Sequence, residues 1–225
     1  MTEREESQTS SGKLSAFIEK NRVAFISVLV AVVVLLVAFI AVSSVLSNGT
    51  DKNLAAIDEI SYTLTNESSS LEEAELNARR IDALDKLAAY TSKGGIVGAR
   101  ANLLCAELAY QQTKYEDALS YYKATAAKSP KSYLAPLAIY NAATCYEELN
   151  NLEEAAANYK TAADNKDFAL KAHAKFSYGR VLEAQGKYAD AVAAYTQLND
   201  ELPNDTWAKL AKTRIITLKA EGKAE

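Results

Sequence analysis

Three short echoes limit the fold more than any other feature of this sequence: YEDA at Tyr115–Ala118, LEEA at Leu152–Ala155 and YADA at Tyr188–Ala191. They begin 37 residues apart (115 to 152) and then 36 (152 to 188). Ala118, Ala155 and Ala191 keep those intervals, as do Tyr122, Tyr159 and Tyr195. Before each echo lies another stretch with helical spacing: ARANLLCAELAYQQ, LAIYNAATCYEEL and AHAKFSYGRVLEAQ. Each unit therefore reads as two antiparallel helices with a tight turn. Helix-start signals recur in step: Thr113 with Glu116 and Asn150 with Glu153 have capping-box spacing, and Gly186 takes the matching place in the third unit. A period somewhat above 34 residues made of helix pairs is the signature of a solenoid, in which each unit buries its apolar face on the next. With only 3 prolines and 8 glycines in 225 residues, the composition favours helix throughout, and the predicted class is all-α.

These units resemble the tetratricopeptide repeat family. That motif wants a small residue in its first helix, met by Ala106, Ala143 and Gly179. It wants alanine early in the second helix and an aromatic four residues on, met by Ala118/Tyr122, Ala155/Tyr159 and Ala191/Tyr195. It ends in proline, met by Pro130 and Pro203, with Asp167 departing from the pattern. The small residues let neighbouring helices approach closely, and the aromatic is expected to fill the gap between repeats. The resemblance runs from Ala99 to Pro203 and implies a solenoid of three repeats within residues 99–206. Residues 207–225 follow as a capping helix and tail, with Trp207, Leu210, Ala211, Ile215 and Leu218 on one stripe and lysines opposite.

The run Val23–Ser47 holds 25 residues without a charge. As a helix it would span roughly 37 Å, enough to cross a hydrocarbon core of about 30 Å with some tilt. A cleaved signal peptide would have an apolar region of only about 7–15 residues, so residues 23–47 read as an uncleaved transmembrane helix. Lys13, Lys20 and Arg22 precede it, whereas Lys52 stands alone just after it. That bias keeps the N-terminus in the cytoplasm and sends the repeats across the membrane. The lead, residues 1–22, is polar at its start and expected to be disordered. Residues 48–98 contain two further helical stretches, one in DKNLAAIDEISYTLTN and one from Ser70 to about Ser92. They read as a degenerate first hairpin, or the former as a continuation of the membrane helix.

A second resemblance lies in the layout. A short lead containing FIEKN, one membrane helix, an irregular hairpin and repeats with a cap are similar to the YfgM-like ancillary subunits of the bacterial SecYEG translocon. This implies a bacterial inner-membrane protein with periplasmic repeats that associates with the translocon, chaperones or client peptides.

Signals for catalysis are sparse. His173 is the sole histidine, so no paired-histidine metal site is available, and GGIVG lacks the lysine of a phosphate loop. Cys105 and Cys145 fall on alanine-rich faces and read as free, buried thiols. A net charge of −4 with no basic block argues against nucleic acid. The expectation is no enzyme, no metal and no cofactor, but a surface for other proteins. In the family named above the first helices line a groove. Helical spacing places Arg100, Leu103, Glu107 and Tyr110, then Leu137, Tyr140, Thr144 and Glu147, then His173, Phe176, Arg180 and Glu183 along it. Tyr140 and Phe176 are the expected anchors, with Arg100 and Arg180 free to meet acidic or carbonyl groups of a ligand. The alternatives are an organelle-surface receptor with cytosolic repeats, and a homo-oligomeric scaffold whose groove is filled by its own partner.

Overall fold

The structure, a computed structural model, describes residues 17–224 and divides between Lys52 and Asn53 into two units. In the first unit residues 17–20 are helical, Asn21 turns, and helix α1 (Arg22–Thr65) begins. A disordered lead over residues 1–22 does not hold for its end, while residues 1–16 lie outside the described part. The turn is held locally: the Asn21 side-chain amide donates to the Phe17 carbonyl at 2.9 Å, and the Phe17 and Phe25 rings meet edge to face at 6.0 Å. The richest 18-residue window of α1 has mean hydropathy 3.3 and none of it is buried. By length and composition α1 is able to cross a membrane. It continues unbroken to Thr65, so the stretch after Asp51 is not a separate helix.

The second unit begins with the last turns of α1, and a short 3₁₀ turn leads into α2 (Glu73–Thr91). Then come α3 (Gly95–Gln111), α4 (Tyr115–Lys128), α5 (Leu134–Glu148), α6 (Leu152–Ala163), α7 (Lys171–Ala184), α8 (Tyr188–Glu201) and α9 (Thr206–Ala220). No strand occurs among the described residues. From α2 onward each helix packs on the next in chain order, and α3 also meets α5 while α7 meets α9. The first helix of each pair thus adjoins the first helix of its neighbour, which is how a solenoid stacks. The irregular first pair shares one core: Ile57 of α1, Ala83 and Leu87 of α2, and Val97, Ala101, Cys105 and Leu108 of α3 are all buried together.

Within each repeat the small residue and the aromatic meet. Ala106 lies in one core cluster with Tyr122, Ala143 in another with Tyr159, and Gly179 against Tyr195. Loss of a side chain on the first helix makes room for a whole ring from the second. Where the closing proline is missing, Asn165 Oδ1 accepts from the Asp167 amide at 3.0 Å, and the next residue, Phe168, plugs the gap among Ala162, Ala163 and Ala174.

The capping boxes do not form. Thr113 (φ 59°), Asn150 (φ 56°) and Gly186 (φ 75°) all stand in the left-handed region. The amides of Lys114, Asn151 and Lys187 reach back to the carbonyls of Ala109, Tyr146 and Leu182 at 3.0, 2.8 and 2.9 Å. These are Schellman closures that satisfy the last carbonyls of the first helices, so the three positions end one helix and do not cap the next. Of the residues that follow these three turns, Asn151 alone caps the next helix with its side chain, accepting from the Glu154 amide at 3.4 Å. The α9 helix ends the same way, with Gly222 at φ 69° and Lys223 bonded to Leu218 at 3.0 Å. It is therefore built like the first helix of a further unit. Its buried residues are Ala208, Ala211 and Leu218, with Trp207 and Ile215 half-buried. Leu210 departs from the expected stripe and is 44% exposed, because it faces outward between Lys209 and Lys212.

Cys105 and Cys145 are buried free thiols. Burial pushes each thiol up to about 11, with Glu148 adding to the shift at Cys145, so both stay protonated near neutral pH.

Candidate groove on the first-helix face

The first helices carry the candidate residues because 3.6-residue periodicity puts positions three and four apart on one face. Between α5 and α7 that face opens into a cavity of about 460 Å³. Tyr140, Thr144, Glu147, His173, Phe176 and Arg180 line it, as the helical spacing placed them. Four of its residues were not expected there: Glu148, Tyr159, Ser177 and Trp207. Trp207 comes from α9, and its ring stacks on His173 at 3.8 Å with only 9° between the planes. Tyr140 donates or accepts at His173 Nδ1 over 3.0 Å and meets Tyr159 edge to face at 5.3 Å. Phe176 sits 5.2 Å from Trp207 and 5.4 Å from Tyr195. The aromatic anchors are thus half in the groove and half in the packing.

The other expected groove residues do not line this cavity. Leu103 packs on the core around Ala106 and Tyr122, and Leu137 packs beside Phe168. Tyr110 leans edge to face on Tyr115 at 5.3 Å. Glu107 lines a second cavity of about 310 Å³ with Arg80 and Ser61.

Charge on this face is organised by repetition. Glu147 accepts from the Tyr159 hydroxyl at 2.6 Å and from both Arg180 Nη atoms at 2.7 and 2.6 Å. Glu183 accepts from the Tyr195 hydroxyl at 2.6 Å and from Nε and Nη2 of Arg214. Arg100 closes on Asp58 of α1. Arg100 and Arg180, expected to be free for a ligand, are therefore committed to carboxylates of the preceding first helix. A bidentate guanidinium–carboxylate pair leaves little of the fork for a third group.

The titrations follow from these contacts. Burial raises the Tyr159 and Tyr195 phenols, and the adjacent carboxylates raise them further, so both remain donors. Burial pushes the Glu183 carboxyl up, but hydrogen bonds from Arg214 and Tyr195 outweigh it and hold the group below the usual range. Burial, then the Arg180 charge, lowers His173, which is neutral near pH 7. Burial raises Glu107. Among the described residues no group of three His, Cys, Asp or Glu is placed to hold a metal ion.

A model of the tetratricopeptide repeat family matches residues 103–169 and again residues 140–206. These repeats are tetratricopeptide repeats. Such repeats are protein–protein interaction modules, and the groove lies on the face formed by their first helices. A "TPR repeat-containing protein" of Treponema pallidum (strain Nichols) is 34% identical over 139 residues, which cover 62% of this chain and 58% of that protein. The match thus spans somewhat over half the length of that relative. Among solved structures, BtubC (BKLC) from P. vanneervenii aligns with a TM-score of 0.47 at 13% identity, over 74% of this chain and 81% of that one.

Proposed function

We propose that this chain is a non-enzymatic, membrane-anchored tetratricopeptide repeat protein that binds partner proteins through the groove between α5 and α7. The observation that carries this reading is the aromatic-walled cavity on the first-helix face of matched repeats. Aromatic side chains half exposed in a groove supply binding energy at small entropic cost. The uncharged 25 residues of Val23–Ser47 support anchoring, and the Lys/Arg bias before Val23 supports a cytoplasmic N-terminus with the repeats on the far side. The bacterial origin of the relative supports an inner-membrane setting near secretion or envelope assembly, with translocon subunits, chaperones or client segments as partners.

Crosslinking in the native membrane tests this. Tyr140→Ala with Phe176→Ala should remove most crosslinked partners while helical circular dichroism persists, whereas Lys123→Ala with Lys160→Ala on the second helices should keep them. A groove variant that retains its partners would overturn the assignment. Protease added to spheroplasts should digest the repeats, and protection until lysis would overturn the topology.

A further inference from the structure

Packing in chain order gives the second unit two ends: α2 with the last turns of α1, and α9. An array of repeats stays apart from its neighbours when its end helices turn polar faces outward. These do not. Among the described residues of this unit six large hydrophobic side chains are exposed, and four of the six lie at the ends: Tyr62 on α1, Ile81 on α2, Leu210 and Ile216 on α9. On α2, Ala74, Ala78, Ile81, Asp85 and Ala88 recur at helical intervals and all are exposed, so small residues surround Ile81 on one outward stripe. On α9, Lys209, Lys212, Ile216 and Lys219 recur in the same way, again all exposed. The two ends differ in charge. Residues 53–91 hold eight aspartates and glutamates against three lysines and arginines, a net of −5, whereas Thr206–Ala220 holds four lysines and arginines and no acid. Arg214 is engaged by Glu183, but Lys209, Lys212 and Lys219 form no ion pair among the described residues, and neither does Asp85. Asp82 meets Lys86 in an exposed pair, the kind that holds weakly.

We propose that the chain associates head to tail with a second copy of itself, the outer face of α9 seating on the outer stripe of α2. The alanines of α2 let another helix come close, and Ile216 supplies the bulk that fills the space beside Ile81. Lys212 and Lys219 then meet Asp85 and Asp82. Apolar burial gives the attraction, and charge gives the direction. Pairing of like faces is disfavoured, because α9 on α9 would set lysine against lysine and α2 on α2 would set aspartate against aspartate. The contact is therefore heterologous: each copy keeps one open face of the other kind, and assembly runs past the dimer or closes into a ring. No residue of the groove between α5 and α7 takes part, so this contact stands or falls apart from the groove reading.

The test uses the full chain in detergent micelles, with the protein mass read by light scattering across a range of concentrations. The mass should rise with concentration, and the rise should weaken with salt, since screening acts over about 10 Å at 0.1 M. Lys212→Glu with Lys219→Glu makes the α9 face acidic, and Asp82→Lys with Asp85→Lys makes the α2 face basic. Each double variant alone should associate at least about tenfold more weakly than the parent, because its two faces now repel. An equal mixture of the two should regain the parent's association, since the acidic α9 of one meets the basic α2 of the other. Lys166→Glu with Lys187→Glu, the same change in net charge away from both ends, should stay within about twofold of the parent. All these side chains are exposed, and circular dichroism checks that each variant folds. Should a reversed pair unfold, Ile216→Ser, at an exposed site, takes its place and should weaken association likewise. A parent that stays monomeric would overturn the proposal, as would a mixture no more associated than its components. A mass that none of the end variants changes would place the contact elsewhere, such as along the apolar span of α1, and would overturn it too.

Discussion

Gly179 of α7 lies so close under the ring of Tyr195 of α8 that a Cβ built on it would come within 2.5 Å of Cε1 and 2.8 Å of Cδ1. The ring cannot yield easily, because Tyr195 is fully buried and its hydroxyl is tied to Glu183 at 2.6 Å. Two effects of Gly179→Ala therefore oppose each other. Helix propensity favours alanine by about 1 kcal/mol, while overpacking costs about 1–3 kcal/mol. We expect the clash to win, so that Gly179→Ala lowers the melting temperature and Gly179→Leu lowers it further. A melting temperature at or above that of the parent would mean that the two helices separate freely.

Thr113 should run the other way. Its φ of 59° places a β-branched residue in the left-handed region, where Cβ crowds the following carbonyl. At the matching position of the third repeat stands Gly186, free of that penalty. Thr113→Gly should stabilise the protein by about 0.5–1 kcal/mol, the released strain less the entropy that glycine loses on folding. Gly186→Ala should destabilise it by about 1 kcal/mol for the converse reason. Chemical denaturation of the two variants in parallel checks both signs.

The only histidine and the only tryptophan of the chain stack on each other at 3.8 Å, so each reports on the other. Burial, with Arg180 second, holds the folded pKa of His173 below its ordinary 6.5. The unfolded chain therefore binds this proton first. Stability tied to neutral His173 is fully present above pH 6.5 and is lost as pH falls from there through the folded pKa. Trp207 emission from the folded protein should titrate with a midpoint below 6.5, since an imidazolium quenches an indole it touches, and His173→Gln should abolish the step. A midpoint above 6.5 would show that some group in the groove stabilises the imidazolium.

The repeat, its register and the residues that touch inside it are legible in the sequence because they are local. A helix that must pass close to another needs a small residue wherever they cross. The crossing recurs every 36 or 37 residues, so Ala106, Ala143 and Gly179 announce themselves, and so do Tyr122, Tyr159 and Tyr195. Helical spacing likewise puts Tyr140, Thr144, Glu147, His173, Phe176 and Arg180 on one face, and all six line the cavity. Spacing says nothing of backbone hand. Thr113 with Glu116, and Asn150 with Glu153, have the separation of a capping box, yet the chain turns left-handed at both, because the preceding helix has carbonyls to close.

Whether a charge is free is settled by stacking alone. Arg100 finds Asp58 at 42 positions' distance and Arg180 finds Glu147 at 33, and no periodicity of one helix foretells either. Trp207 enters the groove wall because α9 packs as a further first helix, which swings its opening turn over His173. The same packing turns Leu210 outward. Local pattern decides which face a residue occupies; the neighbouring helix, brought there by burial of apolar surface, decides what that residue meets and so whether it is left for a partner.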